Sequence, residues 1–241
     1  MRKENGPEKN TGHKLLFSEL DRSIEPAAEH KFCYEFSAPH LKDKSILDAG
    51  CWNGKYLNLI RGSVSGMSVG VDIEEKALGV ALRNVPGPKF LAASVFGLPF
   101  KDKTFDAVTL WAVIEHITAK GESRALGEIH RVLKEDGSLF ISTPSGHWLA
   151  RVLDPAYFLT GHRHYGRAGL EKILGSAGFK IEEFRVKGGI CDCLSTIMFY
   201  ISKHILRRAC GLKTLKKLAE REYAPDFNGF NVVFLSAKKK N

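Results

Sequence analysis

The chain has 241 residues, 44% of them hydrophobic, which is enough to bury one sizeable core and makes one domain the expected count. Met1 to Lys14 is polar and charged with no apolar core, so it does not read as a secretory leader, and the ten-residue uncharged run Cys193 to Ser202 is too short to span a bilayer. The net charge of +9 is lopsided: residues 1–184 hold 24 basic and 23 acidic side chains, residues 185–241 hold 12 and 4, and that excess is either a solvated face or an attraction for anionic partners.

In chain order, residues 1–14 read as a disordered tail. Leu15 to Leu41 reads as a mostly helical cap, broken near Pro26 and ended by Pro39. Strands are then expected near 45–50, 67–72, 88–92, 104–111, 137–143, 179–187 and 231–237. Helices are expected near 54–62, 74–83, 121–134 and 167–176. Strand followed by helix, repeated, predicts an α/β fold with a doubly wound, mostly parallel sheet and helices on both faces. Two connections exceed the usual length of about 4–6 residues. They are 145–165 and 188–230, and both leave the carboxyl ends of strands, the edge where open α/β sheets bind ligands. They are expected to form the acceptor side of a single domain covering 15–241.

Ile46-Leu47-Asp48-Ala49-Gly50-Cys51-Trp52-Asn53-Gly54 carries the most information. It reads as a buried strand, a turn punctuated by Gly50 and Gly54, and the start of a helix. One helix later, Met67-Ser68-Val69-Gly70-Val71-Asp72 ends a second strand in an acid. Glycines let backbone approach a ligand, and an acid at the second strand tip can take both hydroxyls of a ribose. The dinucleotide fingerprint Gly-x-Gly-x-x-Gly fails from Gly50 onward, and no Gly-Lys-Ser/Thr follows to make a P-loop.

The spacing instead resembles motif I of the class I S-adenosylmethionine (SAM)-dependent methyltransferases, Asp-x-Gly-x-Gly-x-Gly, with Trp52 in place of the middle glycine. Leu98-Pro99-Phe100, Phe105-Asp106-Ala107-Val108, Ile114-Glu115-His116-Ile117, Arg131-Val132-Leu133-Lys134, Gly137-Ser138-Leu139 and Ala177-Gly178-Phe179 follow in that family's order. The resemblance is to the subgroup acting on small molecules, quinone precursors and glycans. It implies seven strands in the order 3-2-1-4-5-7-6, the last antiparallel, and SAM as cofactor.

On that resemblance, Asp48 faces the amino-acid portion of SAM, and Gly50, Cys51 and Gly54 form the loop around it. Asp72 takes the ribose and Ile73 packs on adenine. Ser94 stands where the family commonly has an Asp for the adenine amino group, with backbone of Ser94 and Val95 as the alternative partner. Trp111, ending strand four, joins the cofactor contacts. A helix N-cap is the competing role for Asp48. In some quinone methyltransferases a Glu three positions before the Glu-His pair joins it on a metal. Here that position is Ala112, so no metal is expected.

On the acceptor side, His116 is either a general base or an orienting group for the next helix. The first insertion adds His147, Trp148, Asp154, Tyr157 and His162-Arg163-His164-Tyr165. His164 is the second candidate base, and His147, His162 and Tyr165 are candidate acceptor-binding residues. Loop closure and a metal at His162-x-His164 are the competing readings. Cys33, Cys51, Cys191, Cys193 and Cys210 form no paired framework, which suits a reducing cytoplasm. Leu194, Ile197, Met198, Ile201 and Ile205 form a helical stripe, expected to pack on the core, with a lid and a membrane-surface helix as alternatives. Lys203, Arg207, Arg208, Lys213, Lys216 and Lys217 neighbour it. The expected activity is SAM-dependent methylation of a small or lipid-linked acceptor, most simply on oxygen, by a monomer or homodimer with room for peripheral contact with anionic membrane. A nucleic-acid methyltransferase and a non-catalytic SAM-binding subunit are the alternatives. The former is disfavoured because Thr109-Leu110-Trp111-Ala112-Val113 lacks an Asn/Asp-Pro-Pro-aromatic motif.

Overall fold

Seven strands form one sheet in the order β3-β2-β1-β4-β5-β7-β6: β1 Ile46–Ala49, β2 Ser68–Asp72, β3 Lys89–Ala92, β4 Phe105–Trp111, β5 Leu133–Pro144, β6 Phe179–Lys187 and β7 Val232–Lys239. β7 runs antiparallel to both its neighbours, and the pairings from β3 across to β5 are parallel. This is the expected order and direction. The computed structural model describes residues 22–206 and 213–240, so the expected tail, the start of the cap, Arg207 and Arg208 lie outside the described residues.

Period-two side-chain alternation lets the central strands serve two cores. Ile46, Ala107, Phe140 and Phe234 pack with α1 (Ala28–Ser37) and α2 (Lys55–Ile60). Leu47, Val108, Leu139, Ile141 and Leu235 pack with α4 (Glu122–Val132) and α7 (Arg167–Ser176). Each fully buried side chain of this size stabilises the fold by about 1.5–3 kcal/mol, so a strand slipped by one residue would lose both faces at once. α3 (Glu75–Asn84) completes the β2–β3 crossover.

Two features differ from expectation. The fourth helix ends at Val132 because β5 begins at Leu133, paired with Phe105 across an irregularity in the ladder. The first insertion is not a loop: it contains α5 (Trp148–Leu153) and α6 (Pro155–Thr160), the latter opened by Asp154 as N-cap and a proline in its first turn. The second insertion carries the helix that the apolar stripe predicts, α8 (Ile190–Ile201), followed by a π-helical turn over Ser202–Leu206 and by α9 (Lys213–Arg221).

The second insertion is bolted down by two charged side chains, buried Lys187 and half-buried Glu222. Lys187 Nζ donates to the carbonyls of Ala224, Pro225 and Phe227 at 2.7, 3.0 and 2.6 Å. The Glu222 carboxylate accepts from the N–H groups of Gly189, Cys191 and Asp192 and so caps α8 from outside. Yet of the twelve residues of α8 only Cys193 is buried. Packing of the Leu194–Ile205 stripe on the core is therefore realised only in part.

Candidate functional site

Gly50 follows β1 with φ +86°, and a Cβ there would lie 2.3 Å from Val113 Cγ2, so both backbone conformation and space demand glycine. Cys51 is buried with its sulfur toward Gly70 of β2, where a Cβ would come within 2.7 Å of it. Its side chain therefore belongs to the core, and only its backbone lines the loop. Trp52, at the middle-glycine position, adopts φ +47°. That left-handed backbone costs a non-glycine residue about 1–2 kcal/mol, and it is held by a bond from Trp52 N–H to Asp72 Oδ2 at 2.8 Å. Gly54 is the N-cap of α2, which has no side-chain cap.

The helix-cap alternative for Asp48 therefore fails. Asp48 is 2% exposed and accepts from Thr109 Oγ1 at 2.7 Å. Burial raises its carboxyl to about 7, against the Thr109 bond and with help from the charge of Asp72. Asp72 also accepts from Glu74 N–H at 2.9 Å on its other oxygen. Burial raises its pKa while the bonds from Glu74 and Trp52 pull it down. Ile73, next to it, is 61% exposed. Ser94 spends its hydroxyl locally, accepting from Phe96 N–H at 3.2 Å, and Val95 leans on the core. Trp111 packs edge-on against Tyr56 and beside Phe140, which commits much of its ring to the core rather than to a ligand.

The acceptor-side cluster is organised by Asp154. Its Oδ2 meets His162 Nδ1 at 3.2 Å and His164 Nε2 at 3.1 Å, while Oδ1 accepts from Ala156 N–H at 2.8 Å. Burial works against the Asp154 charge, but the two histidines outweigh it and hold the carboxyl well below its usual range. His164 also places Nδ1 2.8 Å from the Ser145 carbonyl, and its side chain is 1% exposed. Both ring nitrogens of His164, a candidate base, are thus engaged by protein groups. Tyr165, a candidate for acceptor binding, is buried, donates to Glu122 Oε1 at 2.6 Å, and lies under the Arg163 guanidinium. His147 caps α5 through Nδ1 and rests against Phe230.

His162 and His116 remain. Their rings meet edge to face with centroids 4.4 Å apart, and Nε2 of His162 is buried without a hydrogen-bond partner. Nearby, Glu115 is buried, accepts from Thr143 Oγ1 at 3.1 Å, and is raised to about 8 by burial, with the charge of Glu29 adding to it. Glu29 of α1 reaches across to Ser142 Oγ and is raised to about 7, again by burial first. Thr109, Ser142 and Thr143 thus set three carboxyls, Asp48, Glu29 and Glu115, along the carboxyl edge. Sequence reasoning missed Glu29, which has no local signal, and left Asp154 without a role. A cleft lined by His40, Lys134, Asp136 and Lys238 opens at the opposite, amino-terminal edge, away from this chemistry.

A family described as a methyltransferase domain matches residues 47–141. A probable S-adenosylmethionine-dependent methyltransferase of Mycobacterium tuberculosis is 32% identical over 116 residues, covering 48% of this chain and 41% of that protein. One from Mycolicibacterium smegmatis is 27% identical over 154 residues, covering 64% and 59%. The chain thus spans about half the length of these curated relatives. The crystal structure of a SAM-dependent methyltransferase from Archaeoglobus fulgidus superposes with a TM-score of 0.62 at 16% identity, covering 91% of this chain and 98% of that one, and supports the fold.

Proposed function

We propose that the chain is a SAM-dependent methyltransferase, a reading supported by the methyltransferase-domain match over residues 47–141 and the similar relatives, and that it methylates a small or lipid-linked acceptor, on oxygen. The observation that carries the reading is the Asp72 carboxylate at the tip of β2. It is fixed by Trp52 and Glu74 N–H, and each oxygen keeps a lone pair for a hydroxyl. Asp48, a buried carboxyl bonded to Thr109, suits a cationic amino-acid group, and exposed Ile73 offers an apolar face for a base. When bound there, SAM supplies a methyl group already activated on a sulfonium. The protein must then position the acceptor, exclude water and take a proton. Asp154 favours the His162 tautomer protonated at Nδ1, leaving the unpartnered Nε2 lone pair to accept it.

A polynucleotide acceptor is the second reading, favoured by the basic excess beyond residue 185. Label transfer from methyl-labelled SAM into a cell extract, partitioned into organic, aqueous small-molecule and RNA fractions, separates these readings. Label in the first two supports the proposal. Label in RNA replaces the acceptor class, and absence of label with intact SAM binding replaces the enzyme with a SAM-binding subunit.

A further inference from the structure

The two insertions hold most of the large apolar side chains that the described residues leave exposed. Trp148 is 65% exposed, Val152 59%, Phe158 68%, Leu159 64%, Leu194 42% and Ile205 72%. They sit on elements that touch: α5 packs against α6, and both pack against α8. Contiguous exposed apolar surface of this kind marks an interaction face.

The charge beside this face is mostly basic. α9, which packs against α8, carries Lys213, Lys216, Lys217 and Arg221 with one acid, Glu220, and α8 carries one acid, Asp192. Neither acid offsets the basic rim at its surface. Asp192 accepts from Tyr223 and Asn231 and is screened by them, and Glu220 pairs with Lys31 at 2.6 Å. On α9, Leu218, Lys217 and Arg221 are all exposed. A second copy docking by the same face would bring like charges together. α8, with twelve residues, is about 18 Å long, and no described helix is long and apolar enough to cross a membrane. A short apolar helix flanked by tryptophan, phenylalanine and lysine lies in the plane of a lipid interface.

We infer that the face formed by α5, α6 and α8, with the basic α9 beside it, docks on an anionic lipid bilayer. Both insertions leave the edge that carries Asp48, Asp72 and Glu115, so docking points the site mouth at the lipid surface. This deepens the proposed function by selecting an amphipathic acceptor, but the docking itself does not depend on methyl transfer.

The test is flotation of the full chain with phosphatidylcholine vesicles, with and without phosphatidylglycerol, at low and high salt. Wild type is expected to float with anionic vesicles, more weakly at high salt. Lys216→Gln/Lys217→Gln should bind anionic vesicles roughly 30-fold more weakly. Phe158→Ser/Leu159→Ser should lose flotation at either salt. Thermal unfolding and SAM affinity should match wild type in both variants, which separates loss of docking from loss of fold or of the cofactor site. Three results would overturn the inference: no flotation under any condition, flotation indifferent to both variants, or a Phe158/Leu159 change that dissolves a dimer instead.

Discussion

The backbone N–H of Trp52 donates to Asp72 Oδ2 at 2.8 Å, so the carboxylate assigned to the ribose also fastens the cofactor loop in its left-handed turn. The loop tolerates a bulky residue at the middle-glycine position because the bond uses backbone and not side chain. Trp52→Gly should therefore keep SAM affinity within a few-fold, since it retains the N–H and relaxes the φ. Trp52→Pro should abolish binding, because proline has no N–H and its φ is locked near −65°. Calorimetric titration with SAM distinguishes the two, and equal behaviour would refute the latch.

His162 and His164 are separated by one residue and should behave differently. His162→Ala removes the free Nε2 and should slow turnover roughly 10²–10⁴-fold while sparing SAM affinity. His164→Ala leaves the Ser145 carbonyl and part of Asp154 unpaired, costing about 1–3 kcal/mol of stability. Steady-state kinetics with the acceptor, alongside thermal unfolding, separates these outcomes. The assignment fails if His164→Ala is the kinetic variant and His162→Ala the unstable one.

Asp48, Glu29 and Glu115, raised by burial to about 7, 7 and 8, make the ligand-free protein pH-sensitive. A carboxyl whose pKa is higher folded than unfolded contributes stability that is full below its ordinary value and is lost as pH rises through the folded value. The ligand-free protein should therefore unfold at a lower temperature at about pH 8.5 than at about pH 6. SAM affinity should run the other way, because only ionised Asp48 attracts a cation. Calorimetry near pH 6.5 in buffers of different ionisation enthalpy should report proton release on binding; proton uptake would contradict this charge assignment.

Glu222→Ala uncaps α8 without touching the sheet. Hydrogen exchange should lose protection across α8 and α9 while β1, β4 and β5 keep theirs. Uniform loss across the chain would mean that the insertion and the sheet unfold as one unit.

Much of this architecture was legible in the sequence because the central strands serve two faces. Phe140 between Leu139 and Ile141 reads as buried on both sides, and Gly50 and Asp72 sit at strand tips that define the ligand edge. Asp154-Pro155 is a legible helix start, an N-cap residue followed by proline in the first turn. What separates His162 from His164 is where Asp154 lies in space, and spacing does not carry that. Glu29 meets Ser142 across 113 residues, beyond any local pattern. The Leu194–Ile205 stripe shows why periodicity alone misleads: it marks an apolar helical face, not what covers it.

The most direct measurement is calorimetric titration of SAM into wild type, Asp72→Ala and Ser94→Ala. Asp72→Ala removes a charged acceptor for two hydroxyls, at about 1.5–3 kcal/mol each, and also releases the Trp52 latch. Ser94→Ala removes at most one neutral hydrogen bond, from a hydroxyl already bonded to Phe96. The account predicts near-complete loss of SAM binding for Asp72→Ala and a modest loss for Ser94→Ala. Equal losses, or wild-type affinity in Asp72→Ala, would contradict it.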